Sequence, residues 1–354
     1  MNKKTIRNTF LELLIIFLLS YPLFYFAYKS SVPSTLGHND YGEYYLLYDN
    51  WEFGNVESPY NMRLISTYLT HLLVKLNIYY DTEINYTNSE NNKIVFFNVL
   101  LFNYLALIAT VFFVYKLIKY RTGDKFYSFA FGLFYFFSFG TLFFTISPLT
   151  DALSGLLVVW CFYNYIKESN LIIIPLFSCI FQREYVLLIF ILIPLIKIIF
   201  DKSFNGNKYH LLTIVFSTIY FCIYFILRKT FFYTDDWNYQ IQISGYIHNI
   251  SISITYFFNT LKHSLINQNL FTIYLFLVVI KFIKQKPINK LYFLTVILLF
   301  FQSIFIGIML QLGNNSARIF NFVTPIIIYY VAEEFFAVFV NRGKCINRKK
   351  IDEI

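Results

Sequence analysis

The sequence predicts an all-α polytopic membrane protein of about ten transmembrane helices, with amphipathic helices lying at the interface in its first outer loop. Three observations predict it. Of 354 residues, 57% are hydrophobic, 22% aromatic and only 14% charged, with mean hydropathy +0.54; a soluble chain of this length has no way to bury so much apolar surface. Apolar runs near the roughly 20 residues that cross a hydrocarbon core recur from end to end. The 29 Lys and Arg gather at the ends of those runs rather than within them. A soluble enzyme is excluded. Disorder and collagen-like repeats are excluded too, because 44 Phe and 31 Tyr stand against 12 Gly and 8 Pro.

In chain order, Lys3, Lys4 and Arg7 precede a run from Asn8 to Tyr28. That run is long for a signal peptide and lacks a small-residue cleavage site, so it reads as an uncleaved first span over 9–28. Further spans are expected over 94–116, 126–147, 152–167, 185–200, 209–228, 266–283, 291–312 and 319–340. Leu171 to Gln182 is shorter but joins the next span at the charged pair Arg183 and Glu184, so it reads as a tenth, short helix ending at a membrane surface. Ten spans put both termini on one side. Segments 1–8, 115–125, 166–170, 197–209, 281–290 and 341–354 hold 20 of the 29 Lys and Arg, and the positive-inside rule makes them cytoplasmic. Residues 29–93, 147–151, 183–184, 229–265 and 313–318 then face outside. This distribution explains the net charge of +9 without nucleic acid as a partner. Cys161, Cys179 and Cys222 lie in apolar runs and Cys345 in a basic tail, a spacing that suits neither disulfides nor a metal site. The whole of 1–354 reads as a single transmembrane domain with the lipid bilayer as its first partner.

Two outer loops carry helical periodicity. In 29–93, Tyr41, Tyr44, Tyr45, Tyr48 and Trp51 form an aromatic face suited to the headgroup layer. Ser58 then reads as an N-cap with Pro59 at the first helical position, followed by Ile65, Leu69, Leu72, Leu73 and Leu76 on one face. These are two interfacial helices. In 229–265 a third is expected, with Ile247, Ile250, Ile254, Phe258, Leu261 and Leu265 in register after Asp235, Asp236 and Trp237.

Ionisable residues that edge or interrupt spans are costly in lipid and are read as functional by default. Asp40, Arg63, Asp151, Arg183, Glu184 and Arg318 all fall on the outer side, as do His38 and Glu43. Each also has a structural explanation. Asp40 and Glu43 fit a capping box, and Asp151 opens a span where an acid favours the helix N-terminus. Arg63 has Glu57 in reach, and Arg183 has Glu184 as its neighbour. Arg318 ends a span, and His38 fits a solvated loop. Glu333 and Glu334 are expected to pair with Arg342 and Lys344 at the opposite face. The convergence of three arginines on one face points to an anionic, phosphate-linked lipid headgroup, because the guanidinium fork matches phosphate oxygens.

The order and position of these residues resemble the GT-C membrane glycosyltransferases that use polyprenyl-phosphate sugars. His38-Asn39-Asp40-Tyr41, then Gly54 through Glu57-Ser58-Pro59-Tyr60 to Arg63-Leu64, is similar to the first outer loop of the mannosyltransferase branch. Ser147-Pro148-Leu149-Thr150-Asp151-Ala152-Leu153 resembles the outer turn before the fourth span in bacterial members. Gln182-Arg183-Glu184, and Asn314-Asn315-Ser316-Ala317-Arg318 with Pro325, resemble later outer-face segments of the family. Two places depart from the pattern: Asp40 lacks the usual second acid beside it, and Ile65-Ser66-Thr67-Tyr68 follows Arg63 in place of a Tyr, Pro and Leu-rich stretch.

The resemblance implies an inverting transferase in a bacterial plasma membrane, with both termini cytoplasmic and the active site outside. It would move a sugar from a polyprenyl-phosphate donor to a glycan or lipid acceptor. Asp40 would be the general base, Arg183 and Arg318 the phosphate clamp, and Arg63 a loop anchor or second phosphate contact. Asp151 or Glu184 would accept hydrogen bonds from sugar hydroxyls, with His38 and Glu43 as further substrate contacts. No cofactor is implied, and a divalent metal stays open. Rival readings are a surface-polysaccharide polymerase or ligase, a non-catalytic transporter of lipid-linked glycans, and a catalytically inactive scaffold.

Overall fold

The computed structural model describes residues 3–30, 38–54, 56, 60–80, 90–138, 141, 149–200, 207–231, 262, 269–309 and 320–340. Among these, every regular element is a helix. We number them α1 (Lys3–Ser30), α2 (His38–Asp49), α3 (Leu64–Lys75), α4 (Glu90–Thr122), α5 (Lys125–Phe136), α6 (Asp151–Ile166), α7 (Asn170–Phe181), α8 (Tyr185–Phe200), α9 (Lys208–Thr230), α10 (Asn269–Ile283), α11 (Lys290–Met309) and α12 (Thr324–Phe335). A π-helical turn, Phe336–Val340, extends α12.

Three stretches are long and apolar enough to cross a membrane: Arg7–Phe26, Lys93–Thr122 and Lys208–Thr230. The first and third are mostly open to the surroundings, with Phe10, Leu18, Phe26, Val215 and Ile226 exposed. Water would penalise such a surface, whereas lipid tails solvate it. This is a helical membrane protein. Of the shorter apolar helices, α6 packs on α4, α7 and α8 pack on α9, α10 packs on α12, and α11 packs on α8 and α12.

Helix α4 is the axis. It packs against α1, α3, α5, α6 and α12, and buries Leu100, Tyr104, Leu107, Val111, Val114 and Ile118. It stops where Gly123 takes φ +73°, a left-handed conformation open to glycine, and returns its N–H to Lys119 O at 2.9 Å. Its contact with α1 is aromatic with a polar centre: Phe24 stacks on Tyr104 at 4.9 Å, and the Tyr104 hydroxyl donates to Phe17 O at 2.9 Å.

The short segment at 171–182 is α7. Six of its 12 residues are 3-10 helix, which rises about 2 Å per residue, so the segment covers roughly 20 Å, close to the extent of the 16-residue α6. Contacts at both ends show that it runs antiparallel to α6. At one end the Tyr209 hydroxyl of α9 donates to Asn164 O and Ser169 O at 3.2 and 3.1 Å. At the other, the Gln182 amide after α7 donates to Thr150 O before α6 at 2.6 Å. The chain then reverses over Arg183 and Glu184, and α8 packs along α9. The sequence expectation of a reversal at 183–184, rather than a kink in one long helix, matches this geometry.

At the far end of α4 the start of α1, the end of α12 and the α10–α11 connection meet. Glu12 accepts from Lys116 at 2.7 Å, Lys119 at 3.0 Å and the Tyr115 hydroxyl at 2.8 Å. Arg121 donates to both carboxylate oxygens of Glu333 at 3.0 Å, and Lys281 pairs with Glu334. The expected partners Arg342 and Lys344 lie outside the described residues. Glu333 and Glu334 instead tie α12 to α4 and α10 from within the bundle.

Two short helices follow α1, with boundaries that differ from the expected ones. Helix α2 is already helical at His38, so Asp40 lies inside its first turn and not at a cap; the acid favours the positive helix end there. Helix α3 starts at Leu64 and not near Ser58, because Tyr60–Met62 forms a separate 3-10 turn and Arg63 has non-helical φ −81°, ψ 52°. Its apolar stripe points outward: Leu69, Leu72 and Leu76 are exposed, while Ser66, Thr67 and Thr70 are buried. That inversion suits a helix whose outer face meets lipid. The interfacial helix expected over 247–265 lies outside the described residues, apart from a helical Lys262.

Candidate functional site

Four of the residues singled out in the sequence converge where α3, α6 and α8 begin. Arg63 Nη1 donates to Glu184 Oε2 at 3.1 Å and to the backbone carbonyl of Gln182. Arg183 Nη2 donates to Asp151 Oδ1 at 2.6 Å and reaches Thr150 Oγ1 at 3.5 Å, while its guanidinium lies over the Tyr185 ring at 5.7 Å. Arg63 is 3% exposed, Asp151 2% and Arg183 9%. Arg183–Asp151 is a buried pair and Arg63 is buried against a partly exposed Glu184, so each arginine charge depends on its partner.

Gln182 joins the two pairs. Its Nε2 donates to Thr150 O, and its Oε1 accepts the Ser66 backbone N–H at 3.2 Å, satisfying one of the unpaired donors in the first turn of α3. Because its own carbonyl takes Arg63, a single residue links α3, α6 and the α7–α8 turn. Thr150 in turn donates to the Tyr44 hydroxyl at 3.4 Å, which brings α2 against the cluster.

Burial is the largest influence on Glu184 and works against its charge, but the Arg63 guanidinium, a backbone N–H and the Arg183 and Arg228 charges together outweigh it and hold the carboxyl below its ordinary range. With two cations and two anions, the cluster is neutral as drawn. It is not saturated. Each guanidinium carries five N–H donors, and the Nε–H of both Arg63 and Arg183 is buried with no acceptor among the described residues.

Asp151 and Glu184, expected as sugar-hydroxyl acceptors, each hold an arginine. The adjacent pair Arg183 and Glu184 does not close on itself, since neighbouring side chains at a helix start diverge; the pairing crosses to Asp151 and Arg63. Glu57, the sequence candidate for Arg63, lies outside the described residues, as do Arg318 and Pro148. His38, Asp40 and Glu43 are described as helix backbone only. Asp40 stands one turn before Tyr44 on α2.

Gln182, Thr150 and Ser66 were given no role in the sequence. The signal for Gln182 was present: a lone amide at the end of an apolar run, directly before an Arg-Glu pair. Among the described residues, no group of three or more His, Cys, Asp or Glu side chains comes together. No protein-family model, curated protein or solved structure matches this chain.

Proposed function

We propose that this membrane protein is an inverting glycosyltransferase of the GT-C kind, with ten spans, that moves a sugar from a polyprenyl phosphate to an acceptor hydroxyl. Catalysis would occur at the end of the bundle bearing the Arg63–Arg183 cluster, which the distribution of basic residues makes the extracytoplasmic one. The observation that supports this most is the pair of buried guanidinium groups, each with an unsatisfied Nε–H, held rigidly around Gln182 at the head of three helices. A buried donor without an acceptor is costly, and an entering phosphate supplies one.

In this reading Asp151 and Glu184 orient the arginines rather than bind sugar. The acceptor oxygen attacks the anomeric carbon while the bond from that carbon to the phosphate oxygen breaks. The electron pair leaves with polyprenyl phosphate, where Arg183, Arg63 and Arg318 stabilise it. The proton passes to the Asp40 carboxylate. A single displacement inverts the anomeric configuration. Outward-facing apolar helix surfaces accommodate the polyprenyl chain.

One observation favours a second reading: each described arginine of the cluster already has a carboxylate, which is also how a non-catalytic binder of lipid-linked glycans would keep its charges. The experiment that separates the two is transfer of labelled sugar from a polyprenyl phosphate by the purified protein. Wild type is expected to turn over, and Asp40→Asn to lose at least about 100-fold while melting normally. Binding of polyprenyl phosphate without any transfer by wild type would favour the non-catalytic reading, and an active Asp40→Asn would remove the base.

A further inference from the structure

At the end of the bundle opposite the arginine cluster lies a cavity of about 900 Å³, within the size range of small-molecule clefts. Helix α8 fixes the separation: it leaves the cluster at Tyr185 and reaches this cavity with Phe200. The walls divide by chemistry. Phe200, Phe282, Ile283, Phe293 and Leu294 form the apolar part, and Lys286 with Lys290 the polar rim.

Three features make the rim positive. Among the described residues, no carboxylate lines it. Elsewhere at this end Lys116, Lys119, Arg121 and Lys281 each meet one. Lys286 instead donates to the carbonyls of Ala337 and Val338 at 3.3 and 3.2 Å, in the π-helical turn that ends α12, which fixes its position without neutralising it. The 20-residue α11 starts at Lys290, so its positive end opens on the same rim.

The apolar wall decides what kind of anion fits. Phe282 is 76% exposed and Ile283 72%, at the level where a bundle leaves the hydrocarbon core. A soluble anion would leave these side chains uncovered; an acyl chain covers them. We propose that this cavity is a binding site for an anionic glycerophospholipid, with its phosphate at Lys286 and Lys290 and its chains along Phe200, Phe282 and Phe293. The lipid bridges α8, α10 and α11 in the leaflet facing that end. This site is independent of any sugar-transfer activity.

The test uses the full chain in detergent with dioleoyl-phosphatidylglycerol or dioleoyl-phosphatidylcholine, read by native mass spectrometry and by thermal melting. A lysine near a membrane surface gives roughly a five-fold preference for an anionic lipid. Wild type is expected to retain phosphatidylglycerol about 25-fold more tightly by the same reckoning, and to melt higher with it. Lys290→Gln, an exposed position on the first turn of α11, should lose about five-fold of that preference, and Lys286→Gln with Lys290→Gln all of it. Because Lys286 also holds the end of α12, the single Lys290→Gln variant decides the matter if the double variant does not fold. Equal retention of the two lipids, an unchanged preference in Lys290→Gln, or equal protection by inorganic phosphate alone would each overturn the proposal.

Discussion

Two groups of ion pairs at opposite ends of the bundle, the arginine cluster and the Glu12 pairs, are built differently. At one end Arg63, Glu184, Arg183 and Asp151 are drawn from three separate parts of the chain and meet around one amide, with Asp151 and Arg63 almost fully buried. At the other, Glu12 meets two lysines on successive turns of α4, with side chains 21% and 26% exposed. Lysine pairs of that kind tolerate slack, because an ammonium on a flexible stem finds a carboxylate from many positions. A guanidinium fork in a buried cluster does not. Geometry this constrained costs stability to maintain, and a fold retains it where a charged group must be presented in one orientation.

The largest test of that contrast is Asp151→Ala. It leaves the Arg183 charge buried without a carboxylate, and loss of one partner of a buried pair costs about 3 to 5 kcal/mol. A marked drop in melting temperature in detergent is expected. Removing Arg183 as well, as Asp151→Ala with Arg183→Ala, should recover most of the loss, because no uncompensated charge remains. If the double variant melts no higher than Asp151→Ala, the cost lies in packing and not in charge.

How far this site was legible in the sequence follows from the same contrast. That Arg63, Asp151, Arg183 and Glu184 share one end of the bundle was readable, because basic residues elsewhere mark the opposite face and leave these as exceptions. Helix α8 was readable residue for residue, since charge stops its apolar run at one end and a polar segment at the other. The partners were not. Arg183 has Glu184 beside it in sequence, and only the reversal of the chain after α7 turns the one toward Asp151 and the other toward Arg63. The start of α3 was misread for a related reason. Pro59 signals a helix start locally, but Arg63 takes a non-helical conformation where its side chain reaches across to Gln182 and Glu184. Long-range contact overrode a local propensity.

Gln182→Leu sharpens the comparison at intermediate size. It keeps volume and removes both amide contacts, leaving the Ser66 N–H and Thr150 O without this partner, at about 1 to 3 kcal/mol for buried groups. It leaves all four charges in place. If the arginine cluster depends on its central amide, this variant should weaken binding of a polyprenyl-phosphate analogue as well as lower the melting temperature. A stability loss with unchanged affinity would assign Gln182 to the scaffold alone.

The smallest effect is expected from Glu12→Gln at the opposite end. The amide retains an acceptor for the Tyr115 hydroxyl and for one lysine, and what it loses is the charge in two partly exposed pairs. Such pairs contribute between nothing and about 1 kcal/mol each, less in salt. The melting temperature should therefore move little, and the shift should shrink further as salt is raised, whereas the Asp151→Ala loss should be nearly insensitive to salt because its pair is shielded from solvent. Melting curves of both variants at low and high salt measure this directly. A Glu12→Gln loss as large as that of Asp151→Ala, or a salt-sensitive Asp151→Ala, would mean that burial does not separate the Glu12 pairs from the arginine cluster, and the argument that the cluster is held in a fixed orientation would go with it.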